Sequence, residues 1–227
     1  MSQKKTAITA ALSVAQGVYD ALQRAVKPGA TELDLQTAVN LAANGHPVCF
    51  DLLSGPRTAD VEGGATQRVL ARGDALLLDL CLQKDGYWCD VCRTYFIGEA
   101  KPAAQAAYRA VLDCFTLLKE NLRHGVSACA LYDMAKRLLA ARGLAGWMRH
   151  HTGHGIGQTP FEAPVEVAAS KDVLCAGEAV TVEIGVYQKD SFGIRLEDDF
   201  WVTEHGAIDL WDYPMLLEDI ILPFEAP

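Results

Sequence analysis

The sequence predicts an α+β fold of two similar halves, about residues 1–100 and 101–227, whose hairpins join in one sheet covered by helices. Three observations carry this. The segment Val26-Lys27-Pro28-Gly29-Ala30-Thr31-Glu32-Leu33-Asp34-Leu35 resembles Leu122–Leu131. The segment Gly73–Asp79 resembles Gly177–Glu183, and both run on to Gln-Lys-Asp, at Gln83–Asp85 and Gln188–Asp190. The two matches keep their order about a hundred residues apart, which is what an internal repeat produces.

The elements follow in order. Thr6–Val26 reads as one amphipathic helix, continuing through Val18, Leu22 and Val26. Lys4 and Lys5 before the apolar Ala7–Ala15 mimic a signal peptide, but the unbroken helical pattern argues for a cytoplasmic protein. Gly29 and Gly125 sit where a helix C-cap wants positive φ, and Thr31 and Ser127 where an N-cap oxygen is wanted. Thr31 with Asp34 makes a variant capping box. Ala75–Leu82 and Tyr87–Ile97 are strands joined at Asp85-Gly86, a favoured two-residue turn. Lys101-Pro102 marks the join between halves and opens a helix over Ala103–Arg123. Ala179–Val186 and Gly193–Glu197 form the second hairpin, and Trp211–Pro227 reads as a packed tail. No flexible linker interrupts the chain, so the expectation is a single catalytic-type domain over 1–227 with no extra N-terminal domain.

Composition narrows the function. At 227 residues, 50% hydrophobic and 22% charged, the chain can bury a full core. Twenty-nine acidic against 20 basic residues, a net charge of −9, argue against a broad nucleic-acid surface. No apolar run approaches the roughly 18 residues of a membrane span. Seven cysteines, an odd number, read as reduced thiols of a cytoplasm.

The acids inside the strands are the informative feature. The Asp85-Gly86 turn sets Asp79 opposite Cys92 and Cys81 opposite Asp90, with all four side chains on one face. A loop centred on Asp190 does the same for Glu183 and Glu197. The repeat brings both acid pairs toward one axis. Four carboxylates in a low-dielectric core repel strongly, and Arg93 and Arg195 are too few to neutralise them. Two divalent ions balance them, and oxygen ligands suit Mn, Co, Fe or Zn. A fifth donor lies in His150-His151-Thr152-Gly153-His154-Gly155-Ile156-Gly157, where glycines flank His154 and allow close backbone approach.

The set Asp79, Asp90, His154, Glu183 and Glu197 resembles the metal ligands of the pita-bread metallopeptidases, family M24, which holds methionine aminopeptidases, X-Pro aminopeptidases and prolidases. The matching stretches are Asp79 with Cys89–Thr94, Thr152–Gly157, Val182–Gly185 and Arg195–Asp198, spread over essentially the whole chain. The resemblance implies the pita-bread fold, with a curved and mostly antiparallel sheet. It implies that Asp79 and Glu197 clamp both metals, that Asp90 binds one, and that His154 with Glu183 binds the other. A bridging water, ionised near neutral pH, would attack an amide carbonyl, and Glu183 would pass its proton to the leaving nitrogen. His150 corresponds to a histidine frequent near substrate in the X-Pro branch, His151 is open between roles, and Arg195 is expected to orient Glu197.

The pocket departs from the family pattern. Phe161 and Glu62 stand where family members commonly carry histidines that donate to substrate, and losing one such donor costs about 100- to 1000-fold in rate. An acidic wall at Glu62 would favour a cationic small substrate. Cys81 and Cys92 replace a Gly and a Thr, and both thiols are expected to face the metals. The function expected is a dinuclear metal-dependent hydrolase acting on a small molecule or short peptide, with a homodimer among the expected states and no nucleic-acid or membrane partner. The alternatives are a non-peptide C–N hydrolase or lyase on the same fold, or a non-catalytic metal-binding interaction module.

Overall fold

The computed structural model of the chain describes residues 2–225. Helix α1 (Gln3–Ala25) begins earlier than its apolar pattern suggests and buries Ile8, Leu12, Tyr19 and Leu22, spaced as one helical face. The Tyr19 hydroxyl lies 2.9 Å from the Leu78 carbonyl and 2.7 Å from that of Val91, pinning the helix across two strands. Helix α2 (Glu32–Ala42) starts at the expected capping box, with the Asp34 amide donating to Thr31 Oγ1 and the Thr31 amide to Asp34 Oδ2. Gly29 and Gly125 differ from expectation. Both have positive φ, but α1 has already ended at Ala25, and Gly29 follows Pro28 inside a β-turn closed by Ala30 N–H donating to Lys27 O at 3.1 Å. Proline at the second turn position and glycine at the third define that turn. Ser127 occupies the N-cap position of its helix but makes no side-chain capping bond.

Strand β1 (Val48–Ser54) runs into a short 3-10 turn (Gly55–Asp60), and the hairpin β2 (Ala75–Lys84) and β3 (Tyr87–Ile97) follows. The intervening loop is anchored by Glu32. Its buried carboxylate accepts from the Ser54 amide at 2.8 Å and hydroxyl at 2.7 Å, from the Thr66 amide at 2.9 Å and hydroxyl at 2.7 Å, and pairs with Arg57. The second half repeats the plan with α3 (Pro102–Asn121), α4 (Ala128–Ala141), the short β4 (His154–Gly155) and β5 (Glu162–Val165), and the hairpin β6 (Ala179–Gln188) and β7 (Phe192–Val202). β8 (Ala207–Asp209) pairs with β7, and β9 (Ile221–Leu222) runs parallel to β3.

One sheet results, ordered β1-β2-β3-β7-β6-β4-β5. In both hairpins the register is the one the turns dictate: Asp79 opposes Cys92, Cys81 opposes Asp90, and Glu183 opposes Glu197. Asp85 and Gly86 both have positive φ, as a two-residue hairpin turn matched to strand twist requires. The even-numbered residues Leu76, Leu78, Leu80 and Leu82 of β2 join the hydrophobic core under the helices, so odd-numbered Asp79 and Cys81 face the other way. The halves meet where β3 and β7 pair at Cys92 and Glu197 alone. Just beyond that pair, the Thr94 hydroxyl accepts from Arg195 N–H at 2.9 Å and donates to Arg195 O at 3.0 Å, standing in for a backbone rung.

The start of the tail, Trp211 to Pro214, packs over Arg93, while residues 226–227 lie outside the described residues. The Trp211 and Tyr213 rings stack at 4.7 Å, and the buried Arg93 guanidinium lies 4.6 Å from the Trp211 ring. Arg93 donates to Asp198 Oδ1 at 2.7 Å and to the Tyr213 carbonyl at 3.0 Å, so its charge is spent on Asp198. Among the described residues, no helix is long and apolar enough to cross a membrane.

Candidate metal centre and active site

The polar face of the central strands opens into a cavity of about 380 Å³. Asp79 (β2), Asp90 (β3), Glu183 (β6), Glu197 (β7) and His154 (β4) all line it. Two groups of ligand atoms, each mutually within 4.8 Å, share Glu197: Asp90 with His154, and Asp79 with Glu183. This grouping differs from the division the resemblance implied, because His154 sits beside Asp90 and not Glu183. His154 Nε2 is 3.5 Å from Glu197 Oε1 and 3.7 Å from Asp90 Oδ2. Atoms bound tetrahedrally to one ion at about 2.1 Å lie about 3.4 Å apart, so the spacing fits ligation better than hydrogen bonding. Asp90 Oδ1 and Glu197 Oε1 are buried with no hydrogen-bond partner, which a carboxylate seldom tolerates without a cation. Burial, followed by the charges of the neighbouring carboxylates, pushes both groups well above the usual carboxylate range. The residues present therefore fit a pair of divalent ions.

The backbone allows this crowding only in places. A Cβ at Gly155 would run into the carbonyl of Ala163, so the strand carrying His154 can lie this close to β5 only with glycine there.

Arg195 does not do what was expected of it. It sits opposite Gly185, where a Cβ would collide with the Tyr187 hydroxyl and His150 Nε2, so the glycine makes room for the groups that meet its guanidinium. There it pairs with Asp79, donates to the Tyr187 hydroxyl at 2.7 Å and to the Val61 carbonyl, and lies 3.6 Å from Glu183 Oε1; Glu197 is not among its partners. Since Arg195 Nε donates to the Tyr187 oxygen, the Tyr187 proton goes to His150 Nε2 at 2.7 Å, leaving His150 Nδ1–H for the His151 carbonyl, also at 2.7 Å. His150 lines the cavity, but both of its ring nitrogens are engaged. His151 is less tied: its Nδ1 is 3.1 Å from Glu183 Oε2 and makes no hydrogen bond. Burial pushes both imidazoles down to about 4, so they are neutral at pH 7.

Phe161 and Glu62 both reach the cavity. The Phe161 ring lies 4.4 Å from the His154 ring at 30° and 5.3 Å from that of His151, an apolar cover where a donor was expected. Cys81 also lines the cavity and donates to Asp90 Oδ2 at 3.0 Å. Cys92 does not line it. Its thiol is fully buried behind the wall, 3.7 Å from the Arg195 carbonyl, because the β3–β7 junction covers it.

Three residues at or beside the cavity escaped the sequence reading. Tyr187 shares the face of Glu183 by strand alternation, a signal that was available. Asp51 opposes Asp79, and Cys49 opposes Cys81, only because β1 pairs with β2, a long-range contact.

The profile of metallopeptidase family M24 matches residues 6–204. The chain belongs to this family. It is 37% identical over 201 residues to a protein named probable dipeptidase PepE from Mycobacterium tuberculosis, covering 86% of this chain and 53% of that one. It is 30% identical over 160 residues to the Xaa-Pro dipeptidase of Pyrococcus horikoshii, covering 70% and 46%. The crystal structure of dipeptidase PepE from Mycobacterium ulcerans superposes with a TM-score of 0.92 at 32% identity, over 98% of this chain and 61% of that one. Xaa-Pro dipeptidase from Bacillus anthracis gives 0.92 at 28% identity, over 98% and 63%. The fold is thus the pita-bread fold of these M24 enzymes, and the chain spans about half the length of the curated relatives it matches.

Proposed function

We propose that this chain is a dinuclear metal-dependent hydrolase that cleaves an amide bond in a small molecule or short peptide. The observation that carries this is the convergence of four strand carboxylates and one imidazole on a single cavity, with buried carboxylate oxygens left unpartnered. Asp79, Asp90, His154, Glu183 and Glu197 would hold the ions, Glu197 being common to the two groups of ligand atoms. When bound, two divalent ions, of Mn, Co, Fe or Zn, supply Lewis acidity and a water that ionises near neutral pH. Glu183 takes up a proton and delivers it to the leaving nitrogen, since its carboxylate faces the cavity beside His151. Arg195 and Tyr187 hold Asp79 and His150 in place. His151, neutral and with Nδ1 free of hydrogen bonds, offsets only part of the loss of the donors at Phe161 and Glu62. The chain works as one domain in a reducing compartment, with which its seven unpaired thiols agree.

The test is metal content by mass spectrometry after reconstitution with each metal, followed by assay on Met-peptides, X-Pro peptides and small amidines. We expect about two ions per chain, reduced in Asp90→Ala and His154→Ala, with affinity falling as pH drops because protons compete for the ligands. Near-zero metal in the wild type would favour a non-catalytic interaction module. Full metal content with turnover of amidines alone would favour non-peptide C–N chemistry.

A further inference from the structure

Cys49 and Cys81 stand directly opposite each other on β1 and β2. Both line the cavity, as directly opposed side chains share one face of a sheet. Pro47 and Gln83 continue the same ladder, where the Gln83 amide donates to the Pro47 carbonyl at 2.9 Å. Alternation along an antiparallel ladder makes Cys49 and Cys81 a hydrogen-bonded pair as well, with Cα atoms about 5.5 Å apart. A disulfide spans Cα separations of about 4.4–6.8 Å, so the bond lies within reach. No other two cysteines face each other across strands among the described residues: Cys89 opposes Leu82, and Cys92 opposes Asp79 and Glu197.

The two thiols sit in different surroundings. Cys49 is exposed, on the strand that opens the sheet order. Cys81 is half-buried, and its single proton goes to Asp90 Oδ2 at 3.0 Å. An oxidant therefore meets Cys49 first, while any change at Cys81 is felt by the metal cluster. Strand β2 is held between β1 and β3, and its Leu78 carbonyl accepts from Tyr19 at 2.9 Å. The small closing movement that brings the sulfurs together falls to the edge strand β1.

We propose that Cys49 and Cys81 are a dithiol modification site: a hydroperoxide joins them in a cross-strand disulfide, which reversibly weakens the metal centre by removing the proton that Asp90 accepts. The bond itself stands apart from the hydrolase reading; its effect on metal rests on Asp90 being a ligand, as that reading has it. In the first step the Cys49 thiolate attacks one peroxide oxygen, the O–O bond breaks, hydroxide leaves, and Cys49 becomes a sulfenic acid. In the second the Cys81 sulfur attacks the Cys49 sulfur, the S–O bond breaks, and the oxygen leaves as water with the Cys81 proton. Two thiols are oxidised to one disulfide and one peroxide is reduced to two waters. Asp90 Oδ2 then has no donor from β2, and losing a group that orients a metal ligand typically costs about 10- to 100-fold in affinity.

The experiment treats the full chain in chelator with one equivalent of hydrogen peroxide at about pH 8, where an exposed thiol is partly thiolate. Intact mass and a non-reducing digest are then read, the peroxide is removed, and Mn affinity is measured by calorimetry. Wild type should lose two hydrogens in mass, yield a peptide pair linking Cys49 to Cys81, and bind Mn about tenfold more weakly, with all three changes reversed by dithiothreitol. Cys49→Ser and Cys81→Ser should form no such link, and peroxide should leave the Mn affinity of Cys49→Ser unchanged. Higher oxides of Cys49 beside an intact Cys81 thiol, links formed only between chains through the exposed Cys175, or a Cys49–Cys81 link with unaltered Mn affinity overturns the proposal. The link formed in a chain that binds no Mn in either state supports the dithiol site and instead removes Asp90 from the ligand set.

Discussion

Replacing Asp90 with Asn should make the metal-free protein more stable and the metal-loaded protein less so. In the fold, Asp90 is 6% exposed and belongs with Glu197 and His154 to a group whose ligand atoms lie within 4.8 Å. At that separation, and at an effective dielectric constant near 20, two carboxylates repel by about 3.5 kcal/mol. Protonation relieves part of this, so about 1–3 kcal/mol should be recovered when the charge is removed. For a chain of this length that raises the melting temperature by about 2–12 °C. The effect depends on pH with a definite sign. The folded-state pKa of Asp90 is raised, so the native protein holds a proton that the unfolded chain releases; metal-free stability therefore falls as pH rises from the ordinary carboxylate range toward the raised value. Asp90→Asn should lack that part of the slope. Added Mn should raise the melting temperature of the wild type, with the logarithm of free Mn once the site is filled, and leave the variant almost unmoved. The assay is scanning calorimetry in chelator and in 1 mM Mn, from about pH 5 to pH 8.5, the span over which carboxyl groups raised by burial titrate. A metal-free variant that melts at or below the wild type, or a Mn shift equal in both proteins, would refute the electrostatic account of the site.

Three further outcomes are expected. Tyr187→Phe removes the hydroxyl between Arg195 and His150; it should cost about 1–3 kcal/mol by denaturant unfolding and lower kcat more than it raises KM, whereas equal stability would show that the buried network contributes little. Phe161→His restores a donor over His154 and should raise kcat/KM on standard peptides by about 10- to 100-fold in steady-state assays; no gain would mean that His151 already fills the role. Glu32→Ala strands the amides of Ser54 and Thr66 and the guanidinium of Arg57; it should destabilise the fold by about 3–5 kcal/mol, measured by urea titration, and a loss under 1 kcal/mol would contradict the anchoring role given to Glu32.

The hairpins were legible because a turn and strict alternation decide a register between neighbours in sequence. Once Asp85-Gly86 is a two-residue turn, Asp79 and Asp90 have nowhere to go but the same face. Pairings between distant segments have no such local rule. Nothing in Cys49-Phe50-Asp51 announces that β1 lies against β2, and so Asp51 was missed. The contact of Tyr187 with His150 beside Arg195 depends on the space left by Gly185, and only the β6–β7 register reveals that this glycine stands opposite Arg195. Gly29 reads as a helix end because a Pro-Gly turn and a helix stop share the same glycine with positive φ; where α1 ends was decided by packing.

The junction between β3 and β7 has a mechanical consequence. One backbone pair carries the central ladder there, helped by side chains: the Thr94 hydroxyl, Arg93 on Asp198 and the Glu197 carbonyl, and Asp199 on the Asp90 amide; yet the residues that converge on the cavity come from both sides: Asp79 and Asp90 from the first half, His154, Glu183 and Glu197 from the second. Ions held by that set would act as rivets across a thinly stitched midline. The exchange protection of amides around Cys92 and Glu197 should therefore report occupancy of the site more sensitively than any amide in the hairpin turns, and the two halves should lose their mutual rigidity before either loses its own.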